Sequence, residues 1–176
     1  MDGVAAILEE ARRRAEELGP CPSGERRRGY VARAERIVRE AVPWVDGDGV
    51  VVDPWRGEEV TYETARFVGA LGGLVGAGRC SDLVEPLERT LRRLLELFRR
   101  QAGGEDTGVA LEFHSKELAW ALWNAREHLS EDLLSYARST CASWNADTIY
   151  RETLSHREPS ELHNINTFAL AGEGIL

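Results

Sequence analysis

The sequence predicts an all-α protein made of consecutive α-hairpins that form part of an α/α toroid, incomplete at this length. Apolar residues recur at spacings of three and four along most of the chain, which is the pattern of amphipathic helices. The exception is residues 44–56, WVDGDGVVVDPWR, where a Gly-Asp-Gly turn precedes a β-branched run. We therefore expect an N-terminal helical region (1–43), an extended linker or arm (44–60) with one short extended segment near 50–53, and an α-hairpin region (61–176).

The N-terminal region reads as two helices. An apolar stripe runs from Val4 to Leu18 and stops at Gly19-Pro20, and a second, strongly charged helix is predicted from Tyr30 to Val42 before Pro43. Residues 21–28 between them are polar and read as a loop.

The helix predicted to begin at Thr61 is rich in glycine, with residues 69, 72, 73 and 76 all Gly. Each glycine costs about 1 kcal/mol in a helix interior. Four of them predict that another backbone, or a ligand, comes close to this helix.

Four further helices complete the chain, at Asp82–Gln101, Glu112–Glu127, Ser130–Trp144 and Leu162–Leu176. Asp82 and Glu85 have the spacing of a capping box, and the apolar run at 118–123 is typical of an inner helix covered on both sides. The shared core is predicted to contain Phe67, Leu71, Leu91, Leu94, Leu118, Leu122 and Trp123.

Helices paired in chain order give three hairpins: Tyr30–Val42 with Thr61–Ala77, Asp82–Gln101 with Glu112–Glu127, and Ser130–Trp144 with Leu162–Leu176. The absence of a fixed repeat period favours a toroid over a regular array. The last helix ends on Ile175-Leu176 without a glycine cap or a polar tail. This indicates the N-terminal portion of a longer protein or a truncated gene product, the alternative being a helix that docks its final leucine.

Composition excludes several classes of function. The 22 Lys+Arg and 30 Asp+Glu residues give a formal net charge of −8, which disfavours nucleic-acid binding. There is no apolar run of membrane-spanning length and no signal peptide, so we expect no membrane partner and a cytoplasmic location. Three widely spaced cysteines match neither a disulfide framework nor a zinc site. Lys116 is the only lysine, an arginine bias typical of a GC-rich bacterial genome.

Four phrases, ETARFVGALGGLV, GRCSDLVEPLERTL, FHSKELAWALWNARE and ELHNINTFALAGEGIL, resemble segments of bacterial α/α-toroid proteins related to carbohydrate-active enzymes, including heparinase-like polysaccharide lyases. The resemblance covers about residues 60 to 176. In such lyases an Asn or His pair neutralises the uronate carboxylate, and a Tyr or His moves the proton beside it. The resemblance implies His163, Asn164, Tyr150 and His156 as catalytic residues. His156 and His163 lie seven residues apart, outside the spacing of a metal motif, so we expect no metal, and we expect no cofactor.

Residues 145–166 hold the densest set of polar side chains, including Arg151 and Asn166, between two predicted helices. They form either a substrate loop at a helix N-terminus or an ordinary solvated capping loop. Trp55 lies outside any predicted helix and is the tryptophan best placed to stack on a sugar ring. Trp120, Trp123 and Trp144 continue apolar stripes and are assigned to the core.

Two short polar patterns have simpler explanations than catalysis. Glu63 and Arg66 could serve as acid and clamp, but an i,i+3 salt bridge is the favoured interpretation. His114, in the phrase FHSKE, is interpreted as part of a solvated helix cap.

Two functions remain open. One is the N-terminal part of a carbohydrate-processing toroid, lyase-like or glycoside hydrolase-like, acting on an acidic oligosaccharide or polysaccharide. The other is a non-catalytic helical scaffold that buries its open edge against a partner chain or a second copy of itself.

Overall fold

A computed structural model describes residues 13–14, 24–107 and 114–143 of the 176-residue chain. The chain divides into two compact units, residues 1–33 and 34–176. In the first unit, residues 13–14 and the start of one helix are described. The core and the candidate site described below lie in the second unit.

The described part is all-α, as the sequence predicts. Its five α-helices are α1 (Gly24–Ala41), α2 (Thr61–Gly76), α3 (Val84–Ala102), α4 (Ser115–Ala125) and α5 (Glu131–Ser143). Helix α1 begins earlier than the apolar stripe suggests, with Glu25 in its first turn and Arg39 in its last, where both charges favour the helix dipole.

The segment between α1 and α2 contains two isolated antiparallel bridges, Val45 with Val51 and Val52 with Glu59, and the described residues contain no longer strand. The Thr64 hydroxyl ties this segment to α2, because it accepts a hydrogen bond from the Val51 amide at 3.0 Å and donates one to the Val60 carbonyl at 3.2 Å.

Helix α2 ends in a Schellman motif. The Arg79 amide donates to the Leu74 carbonyl at 2.8 Å, the Gly78 amide donates to the Val75 carbonyl at 2.9 Å, and Gly78 has φ +71°.

The capping box predicted at Asp82 is wrong. Residues Ser81–Leu83 form a 3₁₀ turn, α3 starts at Val84, and Leu83 stands at the N-cap without a side-chain cap. The Asp82 carboxylate instead accepts hydrogen bonds of 2.7 and 3.0 Å from Arg39. A charge-assisted bidentate pair with a distant residue therefore replaces the local cap.

Helices separated by one in the chain make the principal contacts. Helix α2 packs most extensively against α4, and α3 packs against α5 and against α2. The predicted hairpin of Asp82–Gln101 with Glu112–Glu127 is therefore wrong, because α3 and α4 make few contacts and α4 packs on α2 instead. The largest contacts join alternate helices, α2 with α4 and α3 with α5, whereas the prediction joined consecutive ones.

The glycines of α2 explain this pairing. A Cβ built on Gly72 would lie 2.5 Å from the Cβ of Ala121, and one built on Gly76 would lie 2.6 Å from the carbonyl carbon of Asn124. At Gly69 the nearest neighbour is the Glu117 side chain, at 3.1 Å. The close backbone approach predicted for this helix is confirmed, and the approaching chain is α4.

The core lies between α2, α3, α4 and α5. Five of the seven predicted core residues are buried: Phe67, Leu71, Leu91, Leu94 and Leu118. Leu122 is half-buried. Trp123 is 62% exposed and Trp120 54% exposed, so their assignment to the core is wrong. Helix α4 buries the face containing Ala121 and Ala125 against α2. The Trp120 ring extends past Gly73 of α2 into solvent, and Trp144 lies outside the described residues.

Candidate functional site

A groove of about 540 Å³ lies between the end of α1, the segment 44–60 and the first turns of α2. Volumes of roughly 300–1,000 Å³ with mostly apolar walls are typical of small-ligand sites. The wall and floor include Ile37, Val38, Ala41, Trp44, Val51, Val52, Val60, Phe67 and Ala70. The polar lining residues are Asp53, Glu63 and Arg66.

Two tryptophans form one side of the groove. Trp55 is 83% exposed and Trp44 is 39% exposed, and their ring centroids are 6.0 Å apart at an interplanar angle of 68°. This edge-to-face arrangement is favourable for aromatic pairs. The Trp55 ring therefore has support on one side and remains available for a ligand.

Asp53 holds Trp55 in place. Its Oδ1 accepts hydrogen bonds from the amides of Trp55 at 2.8 Å and Arg56 at 3.1 Å. The Asp53 carbonyl accepts a third from Gly57, at 2.7 Å, and Gly57 has φ +68°. This Asx turn, followed by a left-handed glycine, fixes the backbone that carries the tryptophan.

The polar wall of the groove is a salt bridge on the first turn of α2. Arg66 Nη1 donates to Glu63 Oε1 at 2.6 Å, and both side chains are at least half exposed. The predicted i,i+3 salt bridge is confirmed. The pair still presents several hydrogen-bonding atoms to the groove, since a guanidinium has five N–H donors and a carboxylate several acceptor positions.

These groups suit binding better than proton transfer. A glycosidase needs two carboxylates that face the scissile bond. Asp53 is occupied by the backbone of its turn, and Glu63 is paired with Arg66. An indole face, a second ring and a polar pair together can hold a ring-shaped ligand that has both C–H faces and hydroxyl groups.

His114 precedes α4 and is not a solvated cap, so that interpretation is wrong. It is 1% exposed, it packs edge-to-face on Tyr62 with centroids 5.0 Å apart, and its Nε2 has no hydrogen-bond partner. Burial, with a smaller effect from the charge of Arg66, lowers the pKa of the imidazole to about 4. The sequence gives no sign of this, because the burial is created by the packing of α4 on α2.

Trp55 is the one residue of the predicted site that falls within the described residues. The four residues assigned to catalysis, His163, Asn164, Tyr150 and His156, lie outside them, as do Arg151 and Asn166. Their assignment remains a prediction.

Within the described ranges, no three His, Cys, Asp or Glu side chains cluster in a way that would hold a metal ion. None of the helices in that part of the chain is long and apolar enough to cross a membrane. Cys80 and Cys141 are free thiols, and burial raises the pKa of both. Comparison with protein-family models, with curated proteins and with solved structures finds no match for this chain.

Proposed function

We propose that this chain is the N-terminal part of a carbohydrate-processing α/α-toroid protein, and that the groove beside Trp55 binds a saccharide. The observation that carries the proposal is the Trp55 ring, exposed at the rim of a groove whose wall also holds the Glu63–Arg66 pair. A pyranose presents a C–H face to an indole and hydroxyl groups to a carboxylate and a guanidinium.

The order of helix packing supports the toroid. In a two-layered ring of hairpins, each helix meets its sequence neighbour and also the next helix of its own layer. The contacts of α2 with α4 and of α3 with α5 match two layers and that of α2 with α3 matches a hairpin, whereas α3 and α4 make few contacts. The close contact of α2 with α4 then lies within one layer, and the looser contact of α3 with α5 lies within the other. Further hairpins continue the ring.

Binding is tested by isothermal titration calorimetry with neutral and uronate-containing oligosaccharides. Trp55→Ala should weaken binding at least about tenfold, because a stacked ring is lost. The matched control is Trp123→Ala, which removes an exposed tryptophan on α4 that does not line the groove. Failure of every saccharide to bind, or equal loss in both variants, would contradict the proposal.

The preference between saccharides follows from Arg66. A uronate carboxylate would compete with Glu63 for the guanidinium, so an acidic oligosaccharide should bind more tightly than its neutral analogue. Arg66→Gln should remove that preference and leave the affinity for the neutral sugar within a few fold.

The chemical step is proposed for residues 150–166. His163 and Asn164 would stabilise the negative charge that develops when the proton beside a uronate carboxylate leaves, and Tyr150 or His156 would remove it. The uronate α-proton passes to that base, the bond to the leaving oxygen breaks, Tyr150 or His156 returns a proton to that oxygen, and an unsaturated uronate forms. Arg151 and Asn166 would bind the same substrate.

Catalysis is tested separately from binding, by ultraviolet detection of unsaturated uronates released from acidic polysaccharides. His163→Ala and Asn164→Ala should each lower the rate at least about a hundredfold, a typical loss for one oxyanion-stabilising donor. Activity unchanged in both variants would exclude these two residues. Binding without any release of product would leave a saccharide-binding module and exclude a lyase.

A further inference from the structure

The outward face of α4 and its 3₁₀ extension (Arg126–His128) carries four residues that form one line: Lys116, Trp120, Trp123 and Glu127. Their spacings of four, three and four residues place them on one stripe of a helix. The opposite face of α4 is buried against α2, with Leu118, Ala121 and Ala125 inaccessible. We call the four-residue stripe the α4 stripe.

The α4 stripe is unusual because its centre is aromatic and exposed. Trp120 is 54% exposed and Trp123 is 62% exposed, and the Arg126 guanidinium lies over the Trp123 ring, 4.9 Å from its centroid. Large aromatic side chains are enriched in protein interfaces, whereas most of them are buried in a monomer. Two neighbouring tryptophans on one exposed helix face therefore indicate a contact surface.

The α4 stripe is also self-complementary. The midpoint between positions 120 and 123 is also the midpoint between positions 116 and 127. When a second copy of the helix lies antiparallel across a two-fold axis at that midpoint, Trp120 meets Trp123 of the other copy, and Lys116 meets Glu127. Opposite charges meet twice, at the two ends of the same contact.

We propose that the α4 stripe is the interface of a homodimer, in which α4 of one copy packs antiparallel on α4 of the other. The charge pattern selects a second copy of this chain, because the sequence of charges on the stripe is complementary to its own reverse. Within one copy Lys116 pairs with Glu117 at 3.0 Å and Glu127 with Arg126 at 3.3 Å, so in the dimer each charge on the stripe is shared between that neighbour and the other copy. The dimer lies beyond the proposed saccharide function and does not depend on it.

The expected dimer is weak. The contact consists mainly of one helix and two tryptophans per copy, which places it below the roughly 1,200 Å² of total buried area found in stable complexes. We expect dissociation in the micromolar range or above, with affinity that falls at high salt because charge pairs contribute to it. Sedimentation velocity of the full chain over a wide concentration series measures this directly.

Charge reversal with rescue tests the register. Lys116→Glu and Glu127→Lys each place like charges together at both ends of the contact, and each should weaken the dimer about tenfold. The double variant restores opposite charges and should return the dissociation constant to within about threefold of the original. Glu58→Lys, an exposed charge reversal in the segment between α1 and α2, is the control and should change the dissociation constant less than twofold.

A second variant removes the aromatic centre. Trp120→Ser with Trp123→Ser should give a monomer at every concentration, with an unchanged circular dichroism spectrum because both side chains are exposed. A chain that is monomeric at all concentrations would overturn the proposal and leave the stripe to a different protein. A dimer that survives both single reversals, or is not rescued by the double one, would show that another surface forms it.

Discussion

Gly72 of α2 lies directly against Ala121 of α4, so closely that a Cβ on Gly72 would stand 2.5 Å from the Cβ and 2.6 Å from the Cα of Ala121. Carbon atoms that are not bonded approach to about 3.5–4.0 Å at their optimum. The glycine is therefore required by the helix pair, and the cost of placing it in a helix is offset by the packing that it permits.

Gly72→Ala should lower the free energy of unfolding by about 1–3 kcal/mol, because α2 and α4 must separate to accommodate one methyl group. This runs against the intrinsic preference of helices for alanine, which favours the variant by about 1 kcal/mol. Chemical denaturation followed by circular dichroism measures the difference.

Gly29→Ala is the matched control for this substitution. Gly29 lies inside α1 with no atom within 4 Å of an added Cβ, so alanine should stabilise its helix or leave stability unchanged. Equal effects at the two glycines would show that α2 and α4 are not in close contact.

His114 predicts a dependence of stability on pH. Because its pKa is about 4 in the folded protein and about 6.5 when unfolded, the unfolded chain binds the additional proton between these values. Above pH 6.5 the imidazole is neutral in both the folded and the unfolded chain. As the pH drops from 6.5 towards 4, the free energy of unfolding decreases, and His114 accounts for at most about 3 kcal/mol of that decrease.

The His114 contribution is measured as a difference. His114→Gln replaces the imidazole with a side chain that does not titrate, so the free energy of unfolding of the variant should fall less than that of the original between pH 7 and pH 5. Comparing the slopes cancels the titration of carboxylates common to both proteins. Parallel slopes would mean that His114 titrates normally in the fold.

Glu96 connects α3 to α5 and should titrate far below the ordinary range. Its carboxylate accepts hydrogen bonds from Arg99 at 2.6 and 2.9 Å and from the Tyr136 hydroxyl at 2.8 Å, and these partners lower its pKa to about 2. Arg99 has the larger effect. The stability that Glu96 contributes is present above its ordinary pKa of 4.5 and is lost as the pH falls through about 2.

Carbon-detected NMR titration of the Glu96 carboxyl group distinguishes its two partners. Arg99→Gln should raise the Glu96 pKa more than Tyr136→Phe does, and both should raise it. If Tyr136→Phe leaves the pKa in place, the hydrogen bond across the α3–α5 contact is absent in solution.

The sequence predicts local features better than long-range ones. Apolar periodicity placed α2, α3, α4 and α5 within a few residues of their observed bounds, and the glycines of α2 indicated a close neighbour. Neither pattern says which helix that neighbour is. The pairing of α4 with α2 depends on tertiary packing, and so does the loss of the cap at Asp82 to Arg39, 43 positions away.

In the candidate site, too, the sequence predicts local features and not those that depend on tertiary packing. Trp55 stands out in the sequence because it lies in the segment without helical periodicity. The assignment of Trp120 and Trp123 to the core is wrong. A run of apolar residues shows how much of a helix surface is apolar, but it does not show which side of the helix the neighbouring helices cover. His114 could not be found from the sequence, since its burial depends on Tyr62 from another helix.

The Asp53 turn gives the last prediction, which concerns the positioning of Trp55. Asp53→Ala removes the acceptor of two backbone hydrogen bonds and frees the turn, whereas Asp53→Asn keeps a side-chain oxygen in the same place. NMR relaxation of the Trp55 indole N–H should show greater mobility in the alanine variant and little change in the asparagine variant. Saccharide affinity should follow the same order, about tenfold weaker for alanine and nearly unchanged for asparagine, because ordering a mobile ring on binding costs entropy.

If both variants keep a rigid indole, the turn is held by Gly57 and its neighbours and Asp53 does not position the tryptophan. If the asparagine variant is as mobile as the alanine one, the negative charge of Asp53, and not its hydrogen-bond geometry, holds the turn.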